Sequence, residues 1–190
     1  MLKNKLLKIF GIALFVCLIT LMGKVNAMPE CKLDGRTLTI QIKDPTNLLD
    51  AYIFANQHDG KFDHLIVKGF IHYMAFNSLE GIAKGCKSID LSDLKIQTTN
   101  ILPAGSFNQN DTVEKLVFPE NMEIIQEQIC WSCRKLKTVI LPKNLKAIKD
   151  AVFQYCGVLN LKISKNIKTG KSVGQGSPGV ILPNNSCTIL

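Results

Sequence analysis

Cys130-Trp131-Ser132-Cys133 has the spacing of a redox pair. A CxxC pair exchanges thiols when its first cysteine stands exposed at a helix N-terminus, where the helix dipole favours the thiolate. Thiol–disulfide exchange through Cys130 and Cys133 is one reading, and a local disulfide is another. A zinc site would need a second pair of ligands, and Cys31, Cys86 and Cys187 show no such pairing,. Three further motif matches fall in one glycine-rich stretch. Gly174-Gln175-Gly176-Ser177-Pro178-Gly179 fits GxGxxG, but Pro178 interrupts it and too little chain follows for a dinucleotide-binding unit,. Gly170-Lys171-Ser172 ends like a phosphate loop, yet the first glycine would have to stand at Lys165,. Gly170-Lys171-Ser172-Val173-Gly174 fits GxSxG, and neither an acid nor a histidine follows Ser172,. The plain reading of 170–179 is a flexible loop. His58, His64 and His72 match no helical ligand spacing. No catalytic residue, metal site or cofactor is expected.

Something must position the cysteine pair, and the 190 residues are enough for one domain with a real core,. With 46% apolar and 20% charged residues the chain is no disordered tail,. The formal charge is +8, from 23 basic and 15 acidic side chains. Lys3, Lys5, Lys8 and Lys24 all lie in the first 27 residues, which hold no acid, and removing them leaves 19 basic against 15 acidic. A net +4 is no footprint of a nucleic-acid binder. Residues 1–27 read as an export signal, with a basic start, an apolar run from Ile9 to Met22, and Val25-Asn26-Ala27 as a cleavage site,. The run is shorter than the roughly 20 residues that span a bilayer. The expectation is a secreted, periplasmic or surface protein starting near Met28, with no transmembrane segment after cleavage.

The remaining chain repeats every 23 residues. Phe107, Cys130 and Phe153 keep that spacing, as do Leu102, Ile125 and Ile148, and Val113, Leu136 and Leu159. Phe118-Pro119 recurs as Leu141-Pro142, and a one-residue deletion brings Ile163-Ser164 to that place; Met122, Leu145 and Ile167 follow the same shift. A fixed period of this length marks a solenoid, whose units bury their apolar faces only against neighbours. Within a unit, Leu136, Val139 and Leu141 point inward as a short strand that Pro142 ends. Asp150-Ala151-Val152-Phe153 reads as a helical turn with Asp150 near its cap. Cys130 then falls in the core column, and Cys133 joins Asn110 and Cys156 in a ladder column under the turns, where polar side chains can satisfy backbone groups of neighbouring units.

The segments VILPKNLKAIKDAVFQYC (139–156) and VFPENMEIIQEQICWSC (117–133) resemble the BspA-like leucine-rich repeats of bacterial surface proteins. KSIDLSDLKIQTTNILPAGSF (87–107) resembles the unit that often opens such arrays, and the resemblance covers about 63–168. It implies an α/β fold: a short leucine-rich-repeat solenoid, β-rich, with short helical turns and an N-terminal α/β cap. The expected division is a signal peptide at 1–27, the cap at 28–85, about three repeats at 86–169, and a glycine-rich loop with a closing strand at 170–190. In the cap, strands are expected at Leu38–Ile42 and His64–Lys68, and helices at Pro45–Asn56 and Ile71–Lys84. Cys31 and Cys187, outside the ladder, are the disulfide candidates. The family is associated with exported proteins that bind other macromolecules.

Charge divides along the chain. From Arg134 to Lys171 there are ten basic residues and one acid, whereas Met28 to Cys133 holds nine basic and fourteen acidic. Lys137, Lys143, Lys146 and Lys149 alternate with core positions and are expected to point out, with Lys165 and Lys168 stacked near Lys143 and Lys146 in the next unit. These six form a candidate basic face for a protein or acidic glycan. The same asymmetry would suit head-to-tail self-association. The reading is a non-catalytic, adhesion-type binding protein, with an envelope thiol–disulfide oxidoreductase or a self-assembling envelope component as alternatives.

Overall fold

The computed structural model describes residues 28–44, 48–97, 100–157 and 160–183. The export signal, Leu159 and Cys187 lie outside the described residues. Two strands open the fold, β1 (Glu30–Asp34) and β2 (Thr37–Ile42), paired antiparallel across a two-residue turn at Gly35 and Arg36. In β2 polar and apolar residues alternate, so Leu38, Ile40 and Ile42 are buried on one face,. Helix α1 (Leu49–Gln57) leads to β3 (His64–Ile71), and a 3₁₀ turn (Tyr73–Ala75) leads to helix α2 (Phe76–Ala83). The single helix expected from Ile71 is thus a strand end, a 3₁₀ turn and a shorter helix; Ile71 still pairs with Ile96.

From β3 onward every strand runs parallel to its neighbours. β4 (Ser88–Asp90), β6 (Lys115–Val117) and β8 (Thr138–Ile140) continue the sheet in the order β2-β3-β4-β6-β8, while β5 (Leu94–Ile96) pairs with the end of β3. Leu116 registers with Val139, the 23-residue step seen in the sequence. Earlier steps are longer: Leu38 registers with Leu65, Leu65 with Ile89, and Ile89 with Leu116. Parallel pairs need such crossovers, and here helices or turns supply them. A second ladder joins β7 (Ile124–Ile125), β9 (Ala147–Ile148) and β11 (Lys168–Thr169). Finally β10 (Leu161–Lys162) pairs with β12 (Val180–Ile181).

A third wall is made of turns. Phe107, Cys130 and Phe153 donate their N–H groups to the carbonyls of Ile129, Val152 and Val173 at 2.8, 3.0 and 2.9 Å. Each turn is flanked by two left-handed residues: Gly105 and Gln109, Gln128 and Ser132, Ala151 and Tyr155, Ser172 and Gly176. The expected helical turn at 150–153 is therefore wrong in detail. Ala151 has φ +54°, outside any right-handed helix,, and Asp150 Oδ1 accepts from Lys171 N at 2.9 Å, serving the next unit rather than capping its own.

The glycine-rich stretch is likewise not a loose loop but another turn of the same length, reached 21 rather than 23 residues after the one before it. Val173 is fully buried, and Tyr155 N donates to Gln175 O at 2.9 Å. Gly176 is required there: its φ is +69°, and a Cβ would meet Tyr155 Cδ1 at 2.5 Å,. The core is one continuous cluster through all units. Phe76 of α2 meets Phe107 edge-on at 5.8 Å, which joins the helical part to the first turn,.

Candidate functional site: thiol column, ion ladder and lysine face

Cys130 and Cys133 are both fully buried. Cys133 Sγ donates to Phe107 O at 2.9 Å and Cys156 Sγ to Cys130 O at 3.1 Å, so each thiol bridges to the unit before it. Burial, reinforced by the neighbouring Cys133, holds the Cys130 thiol well above its ordinary range,. Burial pushes the Cys156 and Cys86 thiols up to about 12. Exchange chemistry needs an accessible thiolate, so the oxidoreductase reading of Cys130 and Cys133 fails. Of the two disulfide candidates, Cys31 is half-buried and forms no disulfide among the described residues, and Cys187 lies outside them.

The column differs from expectation at both ends. Asn110 does not reach a neighbouring unit. Its Oδ1 accepts from Thr112 N at 3.1 Å, Thr112 Oγ1 at 2.8 Å and Val113 N at 3.0 Å, closing its own turn,. The preceding unit carries α2 where a matching turn would stand. At the other end Ser177 continues the column: its Oγ donates to Phe153 O and accepts from Cys156 N. A two-residue deletion hid Ser177 from the 23-residue spacing.

Charged side chains follow the same steps. At the entry to successive strands Arg36, Asp63, Lys87, Glu114 and Lys137 stand one above another, and each carbonyl from Arg36 to Glu114 accepts two N–H groups of the next unit. Asp63 lies within 3.2 Å of Lys87 Nζ and 3.1 Å of Arg36 Nε. Burial works to raise the Asp63 pKa, but hydrogen bonds and charge from Arg36 and Lys87 prevail and hold it below the ordinary value,. The hydrogen bond from Lys137, at 2.8 Å, likewise lowers Glu114.

All six lysines of the expected face are exposed. Lys137 pairs with Glu114, Lys143 with Glu120 at 3.6 Å, and Lys146 with Glu123 at 2.7 Å. In each pair the carboxylate stands 23 residues earlier, one unit back. Exposed pairs of this kind contribute about 0–1 kcal/mol each. Lys149, Lys165 and Lys168 have no acidic partner among the described residues. The stacking expected for Lys168 is off by one position: it registers with Ala147, not Lys146, because another residue is deleted between Ile167 and Lys168. The glutamates were readable from the same period that aligned the apolar columns.

Among curated proteins no match to the chain is found. The family model for the BspA type leucine rich repeat region matches residues 39–173 in six copies. That match starts in β2 and ends at Val173, beyond the 63–168 on which the resemblance rests, and it includes units whose length departs from 23. The match covers most of the sequence, and this chain belongs to the BspA-type leucine-rich repeat family.

Proposed function

We propose that the chain is an exported, non-catalytic, adhesion-type protein whose repeat solenoid holds a macromolecule, either a protein or an acidic glycan, against its lysine face. The observation that carries this reading is the set Lys149, Lys165 and Lys168, exposed and without acidic partners among the described residues. Lysines already paired to Glu114, Glu120 and Glu123 have little charge left to offer, whereas the free ones gain from an anionic partner. Family membership supports a binding role, and proteins of this type are typically exported or surface-held. The apolar start at 1–27 supports export, with residues 28–85 as the cap of the array. No helix of the described residues is long and apolar enough to cross a membrane. Burial of Cys130 and Cys133 supports the non-catalytic reading. The experiment is binding to a panel of matrix proteins and sulfated glycans across about 0.05 to 0.5 M salt, where screening lengths fall several-fold. Affinity that drops steeply with salt is expected. Binding indifferent to salt, or confined to neutral ligands, would overturn the lysine face as the site.

A further inference from the structure

Helices α1 and α2 and the turn at 107–112 line an open cleft of about 870 Å3 that shares no residue with the lysine face. Asn56, Asn77, Asn108 and Gln109 line it with carboxamides, and Asp59 and Asp111 with carboxylates. None of these six exposed side chains has a hydrogen bond or ion pair among the described residues, so their donors and acceptors are available to a ligand. Tyr52 also lines it and stays 38% exposed. The ring lies close on α2 because residue 81 is glycine, an unfavourable choice for a helix interior. A Cβ there would stand 3.0 Å from Tyr52 Cε2.

Carboxamides donate and accept together, which suits adjacent sugar hydroxyls, each also both donor and acceptor. An exposed aromatic face suits the apolar C–H face of a pyranose ring. Asp59, Glu80 and Asp111 against Lys84 make the cleft unfavourable for anions,. No group of three His, Cys, Asp or Glu side chains among the described residues could hold a metal ion, leaving the carboxylates as hydrogen-bond acceptors. We propose that this cleft binds a neutral glycan, with one pyranose on Tyr52 and its hydroxyls held by Asn77, Asn108 and Asp111. This site is separate from the lysine face and stands if that face fails.

The test is titration of the full chain with cellohexaose, mannohexaose and chitohexaose, followed by calorimetry. Saturable binding of at least one is expected, about tenfold weaker in Tyr52→Ala. Asn108→Ala, on an exposed turn, keeps the test valid if Tyr52→Ala does not fold, and is expected to weaken binding several-fold with an unchanged thermal midpoint. Lys149→Glu, Lys165→Glu and Lys168→Glu together leave this binding unchanged. No saturable binding of any of the three sugars up to about 10 mM, weak even for a shallow site, overturns the proposal. So does binding as strong as the wild type's in both cleft variants.

Discussion

Cys133, Cys156 and Ser177 show how one side chain can serve a repeat array. Each donates to a carbonyl of the preceding unit, at Phe107, Cys130 and Phe153. A buried carbonyl left without its donor costs about 1–3 kcal/mol. Phe107 O keeps a second donor, Asn110 N at 3.2 Å, so Cys133→Ala removes one of two hydrogen bonds and is expected to lower unfolding free energy by about 0.5–1.5 kcal/mol, measured in urea,. Cys133→Ser keeps a donor, as Ser177 does, and is expected to cost less than Cys133→Ala. The thiols also set an alkaline limit. The Cys86 and Cys156 pKa values are raised in the fold to about 12, so their contribution is complete below the unfolded thiol pKa near 9 and disappears as pH rises towards the folded values,. The thermal midpoint is expected to fall between pH 9 and 12, less steeply in Cys156→Ser. Asp63 sets an acid limit by the opposite sign. Its pKa is lowered from 3.8, so its stabilisation is present above that value and lost as pH falls through the folded one. Asp63→Asn is expected to lower stability at neutral pH and to flatten its decline in acid, as followed by circular dichroism.

At the scale of elements, the turns between strands carry the weakest sequence signal. Apolar columns at Phe107, Cys130 and Phe153 were visible because burial recurs with the period, and the short strands followed from Pro119 and Pro142 ending them. The left-handed pairs were not visible. Gln128, Ala151 and Ser172 occupy the column of Gly105, and nothing in those side chains announces φ near +55°. Tertiary hydrogen bonds impose it, so the sequence of 150–153 by itself reads as a helical turn. The same pattern predicts an engineering result. Ser172 is exposed with φ +54°, and Ser172→Gly is expected to stabilise by about 1 kcal/mol,. Gly176→Ala is expected to destabilise, since φ is +69° and Tyr155 Cδ1 stands 2.5 Å from the new Cβ. A denaturant midpoint moving the other way for either would contradict the account of these turns.

For the whole molecule, charge reads as a continuation of the repeat. Glu114, Glu120 and Glu123 in one unit face Lys137, Lys143 and Lys146 in the next, and among the described residues the series goes no further, leaving Lys165 and Lys168 without paired carboxylates. Net charge along the sequence announced a basic half but not this division, because pairing depends on register and register shifts by two residues in the last units. The lysine face therefore splits into a part paired with the preceding unit and a part without acidic partners among the described residues, which is the part proposed to bind. The decisive measurement compares two triple variants, Lys149/Lys165/Lys168→Glu and Lys137/Lys143/Lys146→Glu, for salt-dependent binding to a sulfated glycan and for unfolding in urea. The first is expected to abolish salt-dependent binding while unfolding like the wild type. The second is expected to lose stability through three repelling carboxylate pairs, about 1 kcal/mol in total or more, while the folded protein retains much of its binding. Equal loss of binding in both would show that the paired lysines are also part of the site, and undiminished binding in the first variant would contradict the central claim.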